Sequence, residues 1–461
     1  MMTGPVFSII IAIYNTQDYL DEAIESVLNQ DFDFKRYIQL ILVDDGSTDR
    51  SYEICLKYQK QYPDNVILLK KENNGPASAR NMGLEYATGE FVNFLDSDDK
   101  LSANALSQVM EFFKKYDTDL VTVPIEYFGA KTGNQYMNYR FKQSGLINLD
   151  ETFNCPHFSA STSFIRRQSI KDIRFSENLA NGEDLLFVNQ ILLDKLNYGV
   201  LNTAKYYYRK RENDDSLMDK AFTSNEYFTP KLKHCFKRLV DYSIKTKGSV
   251  PKFIQYTIVQ DLHGVIRSDK FGDFVKNRED FFHYLNYILD FIDDDVILSQ
   301  RKLDEHAKSF LLFVKNGEFH IETGKNTVSL KTANHTINNT HNNKIRITDI
   351  DVANKTVNLS GYVLSCCYNS DLVVKCNELE YSYDENNPVL SFAGIDWLFK
   401  AEFEFELPFE NELQISIRLI YDGITLNNRI IADESDVKLK DNIIIITDSS
   451  FKSKVKKVLN W

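Results

Sequence analysis

Residues 7–30 read FSIIIAIYNTQDYLDEAIESVLNQ. The first part belongs to an apolar run, 6–14, of strand length. The second puts Leu20, Ala23, Ile24, Val27 and Leu28 at i, i+3, i+4, i+7 and i+8, one face of a helix that Thr16 or Asp18 can cap. A buried strand running into an amphipathic helix opens a strand–helix unit, and the pattern continues outward. Residues 38–43 read as a second buried strand, stopped by the turn Asp44-Asp45-Gly46-Ser47, and Thr48 or Asp49 caps a helix reaching Tyr62. Residues 66–69 form a third strand. Pro76 suits a first helical turn, 77–87 is rich in helix formers, and Gly89 closes that helix. A fourth strand, 91–95, ends at Asp96-Ser97-Asp98-Asp99, before a helix over 103–116 and a fifth strand over 120–124. Strands separated by helices of this length call for right-handed crossovers and a mostly parallel sheet. The expected fold class is therefore α/β and Rossmann-like, with ligands beyond the carboxyl ends of the strands. Both Asp-rich clusters follow such ends.

Composition narrows the class. The chain has 461 residues, enough for about three domains. It is 43% hydrophobic and 26% charged, the balance of a globular protein that needs no disulfide staples. The net charge of −12 disfavours nonspecific nucleic-acid binding but leaves room for a local basic patch. No apolar run approaches the ~18–20 residues of a membrane span, and the start lacks the pattern of a signal peptide. The six cysteines show neither a CxxC pair nor a zinc spacing. These features point away from integral membrane proteins, disulfide scaffolds and zinc modules, and towards a cytoplasmic location.

The expected organisation is a catalytic α/β domain over 1–225, a helical middle over 226–332, an Asn/Thr/His linker over 333–343, and a C-terminal domain over 344–461. In the last, the period changes to two, as in Phe403-Glu404-Phe405-Glu406-Leu407. Short strands at this spacing suggest a β-sandwich.

Four clusters carry candidate chemistry. Asp96-Ser97-Asp98-Asp99 can hold a hard divalent cation at a diphosphate, or cap the following helix. Asp44-Asp45 can accept from a nucleobase N–H, or simply make a turn. In Asn73-Asn74-Gly75-Pro76, a helix N-terminus suits an anion, and Arg80, one helical turn on, can brace the Asp-rich loops or reach a diphosphate; alternatively, Arg80 pairs at the surface with Glu85 or Glu90. Glu183-Asp184 after Gly182 is a helix cap or a general base. His157, after Cys155-Pro156, is a candidate acceptor contact.

In chain order these clusters read DDGSTD after a strand, NNGPASARNMG, DSDD after a strand, and NGEDLLF. With residues 7–30 they resemble family 2 glycosyltransferases of the GT-A fold, over roughly 6–216. The resemblance implies an inverting, UDP-sugar-dependent hexosyltransferase using Mn²⁺ or Mg²⁺. It implies that Ala12 (where many members have Pro), Ile13, Tyr14 and Asn15 flank the nucleotide, and that Asp45, with Asp44, meets the uracil. Asn74 and Arg80 would line the nucleotide-sugar site, Asp96 would meet sugar or ribose, and Asp98 would ligate the metal. Asp184 would be the catalytic base, with Glu183 beside it at the sugar. Residues 206–211, with Asp214, Asp215 and Ser216, are similar to a loop closing over the diphosphate. The metal-ligating His that some relatives carry there is missing, so Arg209 and Arg211 would offer charge to the phosphates instead.

The chain lacks the Q-x-x-R-W motif and membrane spans of processive relatives, which implies addition of one sugar at a time. Its layout is similar to wall-teichoic-acid GlcNAc transferases. That likeness implies an anionic cell-surface polymer as acceptor and a homo-oligomer, dimer or trimer. A basic acceptor groove would draw on Arg140, Lys142, Arg166, Arg167, Lys171 and Arg174. A capsule or exopolysaccharide transferase acting on a lipid-linked oligosaccharide is the alternative, and a non-catalytic nucleotide-sugar-binding scaffold is a third reading. The basic stretch 451–459 is a solvated helix or a peripheral contact with the inner face of the membrane.

Overall fold

The structure is a computed structural model. It describes residues 4–211, 225–268, 271–317 and, between 320 and 447, the strands alone. Contacts divide the chain into two compact units. The first comprises Met1–Val265 and Asp273–Gln300, the second Ile266–Gly272 and Arg301–Trp461.

The first unit is built on strand β1 (Phe7–Ile13), whose Ile9, Ile10, Ile11 and Ile13 are fully buried. Each such side chain stabilises the fold by about 1.5–3 kcal/mol. The strand is flanked on both sides by parallel partners, β2 (Ile38–Asp44) and β4 (Phe91–Asp96). Their registers, Ile13↔Asp44 and Ala12↔Asp96, bring three loops to one end of the sheet. Between the strands run α1 (Leu20–Leu28), the turn α2 (Phe34–Tyr37), α3 (Ser51–Gln61), β3 (Val66–Lys70) and α4 (Pro76–Tyr86). The expected strands and helices of this half are all present. Their caps differ: neither Thr16 nor Asp18 caps α1, whose N-cap is Tyr19.

Beyond β4 come β5 (Lys100–Leu101), α5 (Ala105–Lys115), β6 (Leu120–Thr122), β7 (Ile125–Gly129), β8 (Gly133–Asn134) and β9 (Gly145–Asn148). They are followed by β10 (Ser163–Arg166), the turn α6 (Arg167–Ile170), α7 (Glu183–Lys195), β11 (Asn197–Val200) and β12 (Tyr206–Lys210). The main sheet runs β3-β2-β1-β4-β10-β6-β11-β9. It is mostly parallel, with β10 inserted antiparallel between β4 and β6, and β9 antiparallel at the edge. A second sheet runs β5-β12-β7-β8. Residues 206–210, expected as part of a closing loop, are thus strand β12; Asp214, Asp215 and Ser216 lie outside the described residues. After them the first unit is helical, with a π-helical turn Leu232–Phe236 continuing into Lys237–Lys247, and the helix Arg278–Leu289.

The second unit contains the helix Glu305–Asn316 and three sheets, of three, five and six strands. The five-stranded sheet is mostly antiparallel, with one parallel pair at its edge. The strand His335–Asn339 falls inside the stretch read as a linker, and the helix Glu305–Asn316 groups with the sheets rather than with the preceding helices. The basic stretch 451–459 is outside the described residues. Among the described residues no helix is long and apolar enough to cross a membrane.

Candidate active site

At the carboxyl end of β1 the chain turns through Asn15, whose φ of 52° is left-handed, a conformation Asn tolerates better than most residues. Its side-chain oxygen accepts from the Thr48 N–H at 2.8 Å, and its own N–H donates to Ser47 Oγ at 3.1 Å. Asp49 accepts from the N–H groups of Gln17 and Ser51 at 3.0 and 2.9 Å. The loops after β1 and β2 are therefore one cross-linked rim. Tyr14 stands at this rim with 47% of its surface exposed, a face open to a flat ligand.

Asp44 and Asp45 differ sharply. Asp44 is fully buried and accepts from the Ser47 N–H at 3.3 Å, so it shapes the turn. Asp45 accepts from Lys71 Nζ at 2.6 Å and from the Asn74 N–H at 3.1 Å. Asn74 in turn donates to Glu177 at 3.2 Å. Lys71 was not anticipated. The β2–β3 register Asp44↔Lys70 puts it next to Asp45, so an assumed strand pairing would have found it.

Arg80 sits one turn into α4 and is 8% exposed. Its Nη2 donates to Asp96 at 2.9 Å, and its Nη1 to Asp184 at 3.0 Å and Glu183 at 3.2 Å. The surface pairing with Glu85 or Glu90 is not what Arg80 makes. The capping reading of Glu183-Asp184 also fails: the N-cap of α7 is Gly182, at φ 95°, and both carboxylates point from the first turn to Arg80. Asp184 receives a second bond, from the Ala160 N–H at 3.0 Å. Burial raises the Asp184 carboxyl above its ordinary range, Arg80 opposes that, and Asp96 adds to it. Burial, then the neighbouring Asp184, push Glu183 up to about 7. One arginine among three carboxylates leaves an excess of negative charge, and a shared proton relieves it.

The Asp96–Asp99 cluster does not cap α5. Strand β5 intervenes and the N-cap is Asn104. Instead β12 pairs antiparallel with β5, Tyr206↔Leu101 and Tyr207↔Lys100, which carries the next residues back along the cluster. Tyr206 donates to Asp96 at 3.3 Å. The Arg209 N–H donates to Asp99 at 2.7 Å and its Nε to the Asp98 carbonyl at 2.8 Å. Arg211 Nη2 donates to Asp98 Oδ2 at 2.6 Å. Burial and the charge of Asp96 raise the Asp98 carboxyl, and Asp99 is raised further by burial, Asp96 and Asp98. Asp99 Oδ2 is buried without a hydrogen-bond partner. Glu22, also unanticipated, pairs with Lys100 and Arg209.

His157 is a core residue rather than an acceptor contact. It is 1% exposed, between Ser163 Oγ at 2.6 Å and Arg140 Nη2 at 3.1 Å. Ser163 donates to the Ser159 carbonyl, which assigns the ring proton to Nε2 and leaves Nδ1 to accept from Arg140. Burial, then Arg140, hold its pKa well below the usual histidine value. The proposed basic groove is dispersed too. Arg140 donates to the Pro156 carbonyl at 2.6 Å, Arg166 pairs with Glu90 at 2.8 Å, and Lys171 with Asp194 at 2.8 Å. Arg167 and Arg174 donate to backbone carbonyls. Arg166 pairs with Phe91, at the opposite end of β4 from Asp96.

Comparison with known proteins places this geometry. Residues 8–174 match the family model "Glycosyl transferase family 2". The chain is 36% identical over 320 residues to the minor teichoic acid biosynthesis protein GgaB of Bacillus subtilis, covering 68% of this chain and 35% of GgaB. It is 40% identical over 259 residues to GgaA of the same organism, covering 55% of this chain and 58% of GgaA. The chain thus spans about a third to three-fifths of the length of these curated relatives. In fold it is similar to the crystal structure of S. aureus TarS 1-349 in complex with UDP-GlcNAc, at TM-score 0.55 and 23% identity, covering 72% of this chain and 97% of that one. The chain belongs to glycosyltransferase family 2.

Proposed function

We propose that this family 2 protein is an inverting hexosyltransferase. It would move GlcNAc or a similar hexose from a UDP-sugar to a hydroxyl of an anionic cell-surface polymer, with wall teichoic acid as the best candidate. The observation that carries the reading is the bridge Arg80 makes between Asp96 and the pair Glu183–Asp184. It joins the end of the sheet where Asp96 lies to a carboxylate pair suited to receive an acceptor proton. The names of the teichoic-acid relatives support the acceptor class.

In this reading Asp184 takes the proton of the acceptor hydroxyl as its oxygen attacks the anomeric carbon. The bond from that carbon to the diphosphate breaks on the opposite face, and UDP leaves with the electron pair. Arg80 on Oδ1 and the Ala160 N–H on Oδ2 fix the carboxylate and leave a lone pair on each oxygen free. The charge of Arg80 favours the ionised form of Asp184 against the rise that burial imposes on its carboxyl.

The residues present suit a divalent cation. No set of three acidic, His or Cys side chains converges on a metal position among the described residues. A cation held by one carboxylate plus substrate phosphates does not need one, and the strained protonation of Asp98 and Asp99 marks a surplus of negative charge. Asp98 would hold Mn²⁺ or Mg²⁺, which would offset charge on the leaving diphosphate. Arg209 and Arg211 stand beside it. The reading extends to work on the cytoplasmic side of the membrane and to a dimer or trimer joined through the C-terminal sheets, taken as a sandwich.

The test is UDP release from UDP-GlcNAc and UDP-glucose, with and without poly(ribitol phosphate). Asp184→Asn is expected to slow release by roughly 10²–10⁴-fold while UDP still binds. Near-normal turnover in that variant would take the base role from Asp184. Release that responds only to a lipid-linked oligosaccharide would favour a capsule or exopolysaccharide enzyme.

A further inference from the structure

Behind the carboxylate pair lies a charged side chain that the chemistry above does not use. Lys231 is 1% exposed, although long cationic side chains are almost never fully buried without a partner. It ends the helical turn Thr229–Lys231, which leads through the π-turn Leu232–Phe236 into Lys237–Lys247. Its ammonium donates to Asn181 Oδ1 at 2.7 Å and pairs with Asp261 Oδ2, also at 2.7 Å. The Tyr227 ring lies 4.8 Å from the ammonium, close enough for a cation–π attraction.

Asn181 immediately precedes Gly182, the left-handed N-cap of α7, and Glu183 and Asp184 follow it. The π-turn also packs on that glycine. A Cβ at Gly182 would meet Cys235 Sγ at 3.2 Å and Lys231 Cε at 3.4 Å. Cys235 Sγ lies 3.4 Å from the Gly182 carbonyl, which also accepts the first helical bond of α7 from the Leu186 N–H at 3.0 Å. So the start of α7 is held from behind by a buried cation and a π-turn, and from the front by Arg80. Buried ion pairs contribute little net stability, because desolvation offsets the attraction, but they fix geometry where they are fully bonded. π-Turns inside helices occur often at functional sites.

We propose that Lys231 is a positioning residue for the carboxylate pair. With Asp261 as its counter-ion, it anchors Asn181 so that Glu183 and Asp184 keep their hydrogen-bonded seats on Arg80. The helical segment after residue 225 would then belong to the catalytic machinery rather than only to assembly. This rests on the reading of Asp184 as the base.

Two variants of the full chain test it. Asn181→Ala cuts the tie and leaves the Lys231–Asp261 pair intact, so its melting temperature should stay near that of the parent. Lys231→Met removes the cation and serves as the severe case. For Asn181→Ala the expected result is a fall of about tenfold in kcat for UDP release with poly(ribitol phosphate). KM for UDP-GlcNAc should stay within about threefold. Amide hydrogen exchange in residues 182–186 should rise, a readout independent of turnover. Unchanged exchange overturns the proposal, as does unchanged kcat beside an inactive Asp184→Asn. A fully active Asp184→Asn instead removes the base reading, and the positioning role falls with it. Loss of stability without the split between kcat and KM would reduce Lys231 to a structural part.

Discussion

Arg80 was legible in the sequence as a cation one turn into a helix that could brace the Asp-rich loops, but the individual carboxylates it holds were not. Asp96 is 16 positions away and Asp184 is 104, and only the strand order brings them together. Glu22 carries no local signal, because its pairing with Lys100 and Arg209 depends on β12 returning beside β5. Replacing Arg80 by Met should do more than remove a hydrogen-bond donor. It leaves three half-buried carboxylates facing one another without their counter-charge, which destabilises the fold by less than the ~3–5 kcal/mol that breaking a fully buried pair costs. The expected outcome is a protein with a lowered urea midpoint and no measurable UDP release; a midpoint equal to the parent's would show that the three carboxylates do not depend on Arg80. Glu183 gives a pH signature. Its folded-state value of about 7 lies above the ordinary glutamate value of 4.5, so the folded protein holds this proton more tightly than the unfolded chain does. Its contribution to stability is therefore full below the unfolded value and is lost as pH rises through about 7. Glu183→Gln removes this dependence. Across melting curves from about pH 5 to pH 8, the variant should gain on the parent, by up to roughly 3 kcal/mol. Parallel curves would mean that Glu183 is not held in its protonated form.

Among elements, the continuous apolar runs were read correctly because β1, β2 and β4 are buried on both faces and leave no other pattern available. The strands β7, β10, β11 and β12 were not. They are only four or five residues long, and β12 carries Arg and Lys beside its tyrosines, so it reads as polar loop until its partners are known. Gly89 was read as a helix stop, yet its main constraint is a close approach between elements. A Cβ there would lie 2.6 Å from the Ser8 N and 2.7 Å from the Phe7 carbonyl carbon, both backbone atoms of the central strand. No rotamer change can relieve that. Gly89→Ala is expected to destabilise the first unit by roughly 1–3 kcal/mol through overpacking, read as a lower urea midpoint at unchanged m-value. An alanine variant as stable as the parent would mean that β1 and the loop before β4 yield more easily than this packing implies.

For the molecule as a whole, the sequence period change after residue 344 correctly announced strands. It could not tell how many sheets they form, since alternation marks faces and not pairings. Nor could it place the boundary between units, which contacts set near residue 300. The net charge of −12 has a local meaning. Part of the acidic excess is concentrated where Asp96, Asp98 and Asp99 repel one another, and Arg80 on Asp96 and Arg211 on Asp98 neutralise it in part. A bound divalent ion would do so more completely, and binding to the folded form alone stabilises it by about 2.7 kcal/mol at a hundredfold excess over Kd. Mn²⁺ added with UDP, whose phosphates complete the ligand set, is thus expected to raise the melting temperature of the parent above that with UDP alone and to add nothing to that of Asp98→Asn. Because Asp98 and Asp99 hold their protons more tightly than ordinary carboxylates, protons should compete with the metal at milder acidity. The Mn²⁺ concentration giving half the shift should therefore rise with acidity sooner than at an ordinary carboxylate. Replacing Arg211 by Gln frees Asp98 Oδ2 and should lower that concentration. A UDP-bound parent protein indifferent to Mn²⁺ at every pH would take the cation out of the site and leave Arg211 as the resident counter-charge of Asp98.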